Sequence, residues 1–177
     1  FLDPPKQSAA QAITALQEHG VKVVVLTGDS EGVAVKVCGK VGVDTDHCLT
    51  GVDVEAMSDK ALCKAVRECC LFSKLSPAQK QRVVAAFQAN GHTVGYMGDG
   101  INDTLAMRQS DVGISVDSAV DIAKETADII LMKKDLMVLE QGVLEGRRTF
   151  GNIMKYIKMA ASGNFGNMIS VVLASIL

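Results

Sequence analysis

The stretch TVGYMGDGIND, residues 93–103, decides the fold of this chain. It joins an apolar run to a glycine-rich turn that carries Asp99, Asn102 and Asp103. A short buried strand followed by glycines predicts a tight turn at the carboxyl edge of a sheet, where open α/β sheets bind their ligands. The two aspartates supply the hard oxygen ligands that Mg²⁺ prefers. For GDG taken by itself, a turn that only caps the next helix is the alternative.

Length and composition limit the possible classes of protein. The 177 residues suffice for one ordinary domain with a real core, and the net charge of −2 without a basic patch predicts no nucleic-acid partner. The five cysteines contain no CxxC pair, so we expect free thiols in a reducing compartment. The chain begins with Phe1 and shows no signal peptide, which predicts that it is a piece of a longer protein.

Helix and strand signals alternate along the chain. A first helix is predicted from the Pro4-Pro5 segment to Gly20, and a second helix follows residues 27–30 and extends to about Val41. Further helices are predicted from Ser58 to about Glu68, from Ser76 to about Asn90, after Asn102 and over 120–126. Strands are predicted over 21–26, 70–72, 93–96, 112–116 and 129–131. Strands separated by single helices predict a parallel sheet with right-handed crossovers, a Rossmann-like α/β layer fold.

The helix that starts at Ser76 has the clearest beginning. Ser76 can cap it, Pro77 suits the first helical turn, and Gln79 completes a capping box. Lys80 lies one turn into this helix and can bring a positive charge to a phosphate near the strand ends. A solvated surface lysine is the alternative.

Two further turns can carry chemistry. Thr27-Gly28-Asp29 follows the first buried strand, and its hydroxyl and backbone amides can hold a phosphoryl group, with a simple turn as the alternative. Asp3-Pro4-Pro5-Lys6 is a rigid, charged turn that can contact a nucleotide or cap the first helix.

The carboxyl-terminal part has a different composition. Residues 159–177 contain no charged side chain, and as a helix they would span about 28 Å, close to the hydrocarbon thickness of a bilayer. We therefore expect an α/β domain over 1–135, a stalk helix over 136–158 and the start of a transmembrane helix over 159–177. A buried core helix is the alternative, because the run also contains serines and asparagines. The basic residues before it suit a cytoplasmic flank: Arg147, Arg148, Lys155 and Lys158.

The order of TGD, SPAQK and GDGIND resembles the phosphorylation domain of P-type ATPases, a branch of the haloacid-dehalogenase-like fold. DPPK at 3–6 is similar to the turn that follows the nucleotide-binding domain in that family. LEGRRTF at 144–150 is similar to the stalk before the fifth transmembrane helix. The stretches 1–6, 115–124 and 162–167 most resemble the bacterial magnesium-transporting branch, and the resemblance covers essentially the whole chain.

The resemblance implies a fragment of an ATP-driven cation pump that uses Mg²⁺ and ATP and transports a cation, with magnesium as the expected ion. It implies a location in the cell inner (plasma) membrane, with residues 1–158 cytoplasmic. Asp3 and Lys6 would approach the nucleotide or the interdomain hinge, and Asn164 and Asn167 are candidates for the cation path.

The resemblance also implies roles at the phosphorylation site. Asp99 would bind the catalytic Mg²⁺, and Asp103 would support that metal site or, with Asn102, position the groups for hydrolysis. Lys80 would neutralise charge that develops during phosphoryl transfer. The phosphoryl oxygens would be contacted by the loop of Thr27, Gly28 and Asp29.

The nucleophile of the family, the first residue of Asp-Lys-Thr-Gly-Thr, is absent from these residues. Asp44-Thr45-Asp46 mimics the DxD pattern of soluble relatives, yet it follows TGD whereas the nucleophile strand comes first in that fold. We therefore expect the nucleophile to lie outside this chain, and the chain alone to form no aspartyl phosphate. Smaller departures are TLAM at 104–107, where the family has Ala-Pro-Ala-Leu, and Ser30 and Ala34 after TGD.

Two alternatives to the pump fragment remain at this point. One is a soluble haloacid-dehalogenase-like phosphatase, which would need an upstream DxD strand and no membrane helix. The other is a remnant that binds Mg²⁺ and phosphate without catalysis.

Overall fold

The computed structural model describes residues 7–133 and 135–176, in which helices alternate with short strands. The helices are α1 (Gln7–Glu18), α2 (Glu31–Val41), α3 (Gly51–Ala56), α4 (Asp59–Ala65), α5 (Pro77–Ala89), α6 (Thr104–Gln109), α7 (Asp121–Thr126) and α8 (Leu136–Ile176). A short 3-10 helix, Ile101–Asp103, precedes α6. The strands are β1 (Val25–Leu26), β2 (Cys48–Thr50), β3 (Leu71–Ser73), β4 (Gly95–Met97), β5 (Val112–Val116) and β6 (Ile129–Leu131). The chain divides into two compact units, Phe1–Val138 and Leu139–Leu177.

The strands of the first unit form two parallel sheets. One has the order β1-β3-β2 and the other β4-β5-β6, and every described pair of strands is parallel. The predicted α/β class with parallel strands and flanking helices is confirmed. The described residues contain no hydrogen-bonded ladder between β1 and β4, so both strands are sheet edges.

Helix α5 contributes to the cores that cover both sheets. Val83 and Phe87 pack in one buried cluster with Phe72 of β3, and Val84 packs in another with Tyr96 of β4. Leu26 of β1 is half-buried against both clusters. Each of these large apolar side chains gains about 1.5–3 kcal/mol from complete burial, so α5 is held firmly relative to β1 and β4. The amino-terminal end of α5 carries Lys80.

The predicted helix boundaries are confirmed where a cap marks them. Gly20, after α1, has a φ of 73°, the left-handed conformation expected of a glycine that ends a helix. At α5 the Ser76 hydroxyl accepts from the Gln79 N–H at 3.3 Å, and the Gln79 side chain accepts from the Ser76 N–H at 2.9 Å. The predicted capping box is therefore present.

Strand β2 and helix α3 are missing from the sequence prediction. The strand has only three residues, and the helix begins with a glycine, the residue that usually argues against a helix. A side chain on Gly51 would collide with the carbonyl oxygen of Lys74 and with the Gln79 amide oxygen, which explains the glycine. The available signal was Thr50 followed by Asp53, because these two side chains form a second capping box.

Candidate active site

The Thr27–Ser30 loop after β1 is held mainly by its backbone. The Thr27 N–H donates to the Phe72 carbonyl at 2.9 Å, and the Lys74 N–H donates to the Asp29 carbonyl at 2.9 Å. Within the loop, the Thr27 hydroxyl accepts from the Asp29 N–H at 3.0 Å and donates to the Asp29 carboxylate at 3.1 Å. Gly28 and Asp29 are exposed. These bonds present a hydroxyl and a carboxylate to solvent at the carboxyl end of β1.

The Gly98–Asp103 loop after β4 is anchored to β5. The Gly98 N–H donates to the Ile114 carbonyl at 3.0 Å, and the buried Ser115 hydroxyl donates to the Gly98 carbonyl at 3.0 Å. The backbone carbonyl of Asp99 accepts from the Val120 N–H at 3.2 Å. Because its backbone is bound on both sides, the loop presents the exposed Asp99 at the carboxyl end of β4.

A buried polar cluster joins this loop to α5. The Lys80 ammonium donates to Asp103 Oδ1 at 2.8 Å, and the Tyr96 hydroxyl donates to the same oxygen at 2.9 Å. Lys80 and Tyr96 are each only 8% exposed. Burial raises the pKa of Tyr96, and the neighbouring Asp103 charge raises it further, so the phenol keeps its proton and acts as a donor.

Gly98 lets the loop close over Asp103. A Cβ built on Gly98 would overlap the Asp103 Cβ and would lie 2.9 Å from its Cγ. The same Cβ would lie 3.0 Å from Asp103 Oδ2, so this oxygen lies against the Gly98–Gly100 turn. A glycine is therefore required at position 98 for the observed packing.

The oxygen donors at this loop suit a magnesium ion. Within the described part of the chain, the donors to Asp103 reach Oδ1, and no donor reaches Oδ2. Asp99 carries an exposed carboxylate on the same turn. The described residues contain no group of three acidic, histidine or cysteine side chains arranged as a metal site. Mg²⁺ fits this arrangement, since it commonly takes one or two carboxylates and completes its shell with water and substrate phosphate.

The structure brings some of the predicted residues together and leaves others apart. Lys80 and Asp103 are in direct contact. Thr27 and Asp99 follow β1 and β4, the two strands that pack beneath α5. Asp44 precedes β2 and so lies at the opposite, amino-terminal end of its strand, where its carboxylate accepts from the Asp46 N–H at 2.9 Å.

Three further residues concern the comparison of the predicted site with the structure. Asp3 and Lys6, expected near the nucleotide or the interdomain hinge, lie outside the described residues. Sequence reasoning missed Tyr96, because its apolar neighbours predict a buried strand and nothing local reveals the partner of its hydroxyl. The available signal was a phenol within an otherwise apolar strand, which needs a hydrogen-bond partner when buried.

Helix α8 is a separate feature of the chain. It has 41 residues, about 60 Å of helix, and it is long and apolar enough to cross a membrane. Its residues 159–176 are all exposed, including Val171 and Ile176 at 70% and 76%. The carboxyl-terminal helix expected from the uncharged run is confirmed; Leu177 lies outside the described residues.

Comparisons with known proteins agree with the motifs. The chain is 61% identical over 175 residues to the magnesium-transporting ATPase, P-type 1, of Salmonella typhimurium strain LT2, covering 99% of this chain and 19% of that protein. It is 57% identical to the protein of the same name from Escherichia coli K12, covering 99% and 20%. The chain thus spans about a fifth of the length of the curated relatives it matches.

The fold of this chain is also similar to a solved structure of a P-type ATPase. A crystal structure of a zinc-transporting PIB-type ATPase matches with a TM-score of 0.67 and 30% identity, over 85% of this chain and 20% of that one. The resemblance to P-type ATPases inferred from the motifs is confirmed by these similarities. A family model described as haloacid dehalogenase-like hydrolase matches residues 1–111. The chain belongs to the haloacid dehalogenase-like hydrolases.

Proposed function

We propose that this chain is part of an ATP-driven magnesium-transporting P-type ATPase and supplies the Mg²⁺-binding and phosphoryl-stabilising half of its phosphorylation site. The contact of Lys80 with Asp103 carries the proposal, because it joins two of the three motifs in one buried pair. High identity to magnesium-transporting ATPases over nearly the whole chain supports the choice of magnesium as the transported ion.

The chemistry follows from the positions of the side chains. Asp99 and Oδ2 of Asp103 would hold Mg²⁺, which supplies positive charge to the phosphate oxygens when bound. Lys80 adds a fixed positive charge, and its burial strengthens that charge because water screens it little. Thr27 would contact the phosphoryl oxygens from the other loop, with Gly28 and Asp29 shaping it, and Asn102 would help to hold the geometry beside Asp103.

The nucleophile would come from a segment outside these 177 residues. Two observations support a strand inserted between β1 and β4: both are sheet edges within the described chain, and both contribute to the cluster around Val84. A parallel strand placed there would end between the Thr27 and Asp99 loops. An aspartate at its carboxyl end would then face the groups that stabilise phosphate.

The carboxyl-terminal helix would connect this chemistry to transport. We place residues 1–158 in the cytoplasm and the uncharged part of α8 in the inner membrane. The exposure of its apolar side chains supports this placement, since a helix of a soluble phosphatase would bury them. Asn164 and Asn167 would face the cation path, because polar groups in membrane helices usually contact other helices or ions.

The direct test uses the intact protein that contains this chain, in membranes. We expect Mg²⁺-dependent ATP hydrolysis and a hydroxylamine-sensitive phosphoenzyme, both reduced about 100-fold or more by Asp99→Asn. Asp46→Asn is the matched control, since it makes the same change in an exposed loop at the other end of its strand. Hydrolysis of simple phosphate esters by a soluble protein, without ATPase activity, would favour the phosphatase instead.

A further inference from the structure

Tyr96 is a buried polar side chain of β4 that belongs to none of the three motifs. Its ring packs with Val84, Ala106 and Met107, and its hydroxyl reaches Asp103 Oδ1 at 2.9 Å. The ring position is set by β4 and this cluster, so the hydroxyl is a donor with little freedom to move.

The hydroxyl complements Lys80 because the two donors differ in flexibility. Lys80 is a point charge on a four-carbon stem with three rotatable donors. Alone, it fixes the distance between its ammonium and the carboxylate but leaves the carboxylate free to rotate. Two donors that come from different elements, α5 and β4, and converge on Oδ1 define that rotation. Oδ2 is then held against the Gly98–Gly100 turn that carries Asp99.

We propose that Tyr96 is a positioning residue of the phosphorylation site: its hydroxyl holds Asp103 Oδ1 so that Oδ2 stays directed to the Mg²⁺ position beside Asp99. The proposal rests on the proposed function, and it adds a residue outside the three motifs. Its physical basis is that a ligand held in place before binding loses less entropy when the ion arrives.

The chain offers a matched pair of variants, because it contains two tyrosines. Tyr96→Phe removes the buried hydroxyl and keeps the ring that fills the core. Tyr156→Phe makes the same chemical change in α8, where the side chain is 68% exposed. Both variants should unfold at the wild-type temperature to within about 2 °C, since Lys80 still satisfies Asp103 after the first change.

The first measurement tests the contact in the 177-residue chain without any activity assay. Carbon-13 in the tyrosine rings gives one signal for each residue, identified by the two phenylalanine variants. Asp103→Asn should shift the Tyr96 signal and leave the Tyr156 signal in place. A Tyr96 signal that does not respond would overturn the proposal.

The second measurement uses the intact protein in membranes. We expect Tyr96→Phe to lower kcat about tenfold and to raise the Mg²⁺ concentration needed for half-maximal activity, with the KM for ATP unchanged. A kcat equal to that of an active wild type, or an equal loss in Tyr156→Phe, would overturn the role of Tyr96. Absence of ATPase activity in the wild type would instead overturn the proposed function.

Discussion

The two loops that carry the candidate site are held in different ways. The Thr27–Ser30 loop depends on backbone hydrogen bonds to the segment after β3, and its polar side chains satisfy each other in solvent. The Gly98–Asp103 loop also has backbone hydrogen bonds, at Gly98 and Asp99, but its Asp103 side chain is in addition bound to a buried lysine from α5 and a buried tyrosine from β4.

The difference predicts how each loop responds to substitution. A change in the first loop leaves exposed groups that water can satisfy, so its effect on folding stays small. A change in the second leaves a buried charge or a steric overlap, so its effect extends to α5 and to the core. Substitutions in the second loop and its buried partners should therefore cost more stability than substitutions in the first.

Lys80→Met should lower the free energy of unfolding by about 3 kcal/mol, because it leaves Asp103 largely buried without its ion-pair partner. Urea denaturation measures this loss. Lys74→Met is the control and should change stability by less than about 0.5 kcal/mol, since Lys74 is exposed. The double variant Lys80→Met with Asp103→Asn should lose less unfolding free energy than the sum of the losses in the two single variants. A loss equal to that sum would mean that the pair does not interact.

Gly98→Ala should cost about 2 kcal/mol, since the added methyl group overlaps Asp103 and the loop must open. Gly100→Ala makes the same change two residues away, where the nearest atom to the new Cβ is Asp103 Oδ2 at 3.8 Å. We expect a change of less than about 0.5 kcal/mol there. Equal urea midpoints for the two variants would contradict the close packing of Gly98 on Asp103.

Tyr96 should make the fold sensitive to alkali. Because burial raises the pKa of Tyr96, the folded chain keeps the phenol proton at a pH where the unfolded chain, with an ordinary pKa near about 10, loses it. The stability is complete below about pH 10 and falls above it, by up to about 1.4 kcal/mol for each pH unit.

Denaturation midpoints of wild type and Tyr96→Phe between about pH 9 and pH 11.5 measure this dependence. Burial also raises the pKa of Cys38, Cys69 and Cys70. These thiols therefore also lower the stability as the pH rises, and they do so in both wild type and Tyr96→Phe. Only the difference between the two curves therefore belongs to Tyr96. Parallel curves above pH 10 would show that the phenol is not buried beside Asp103.

Thr27→Val should have the smallest effect on folding, a loss of about 0.5–1 kcal/mol, because the lost hydroxyl bonds lie within an exposed loop. Thr27→Ser keeps the hydroxyl and should remain at the wild-type urea midpoint. A loss as large as that of Lys80→Met would show that both loops depend on buried side chains.

Local signals predicted much of this fold. The capping box of Ser76 and Gln79 and the glycine after α1 are short-range patterns whose geometry follows from neighbouring residues, and both are confirmed. Strand β2 and helix α3 were not predicted, because their local propensities are weak and the residues that they pack against are distant in the sequence. Gly51 is explained by Lys74 and Gln79, more than 20 residues away, and no local pattern reveals such a contact.

The sequence by itself determined the α/β class, the parallel strands, the three loop motifs and the long carboxyl-terminal helix with its uncharged end, because periodicity, caps and motif spacing act over a few residues. Only the tertiary structure decided that Lys80 and Tyr96 meet on one oxygen of Asp103, and that β1 and β4 remain edges beneath the same helix. Those contacts depend on how α5 packs across both sheets, and a side chain cannot indicate its distant partner until the chain has folded.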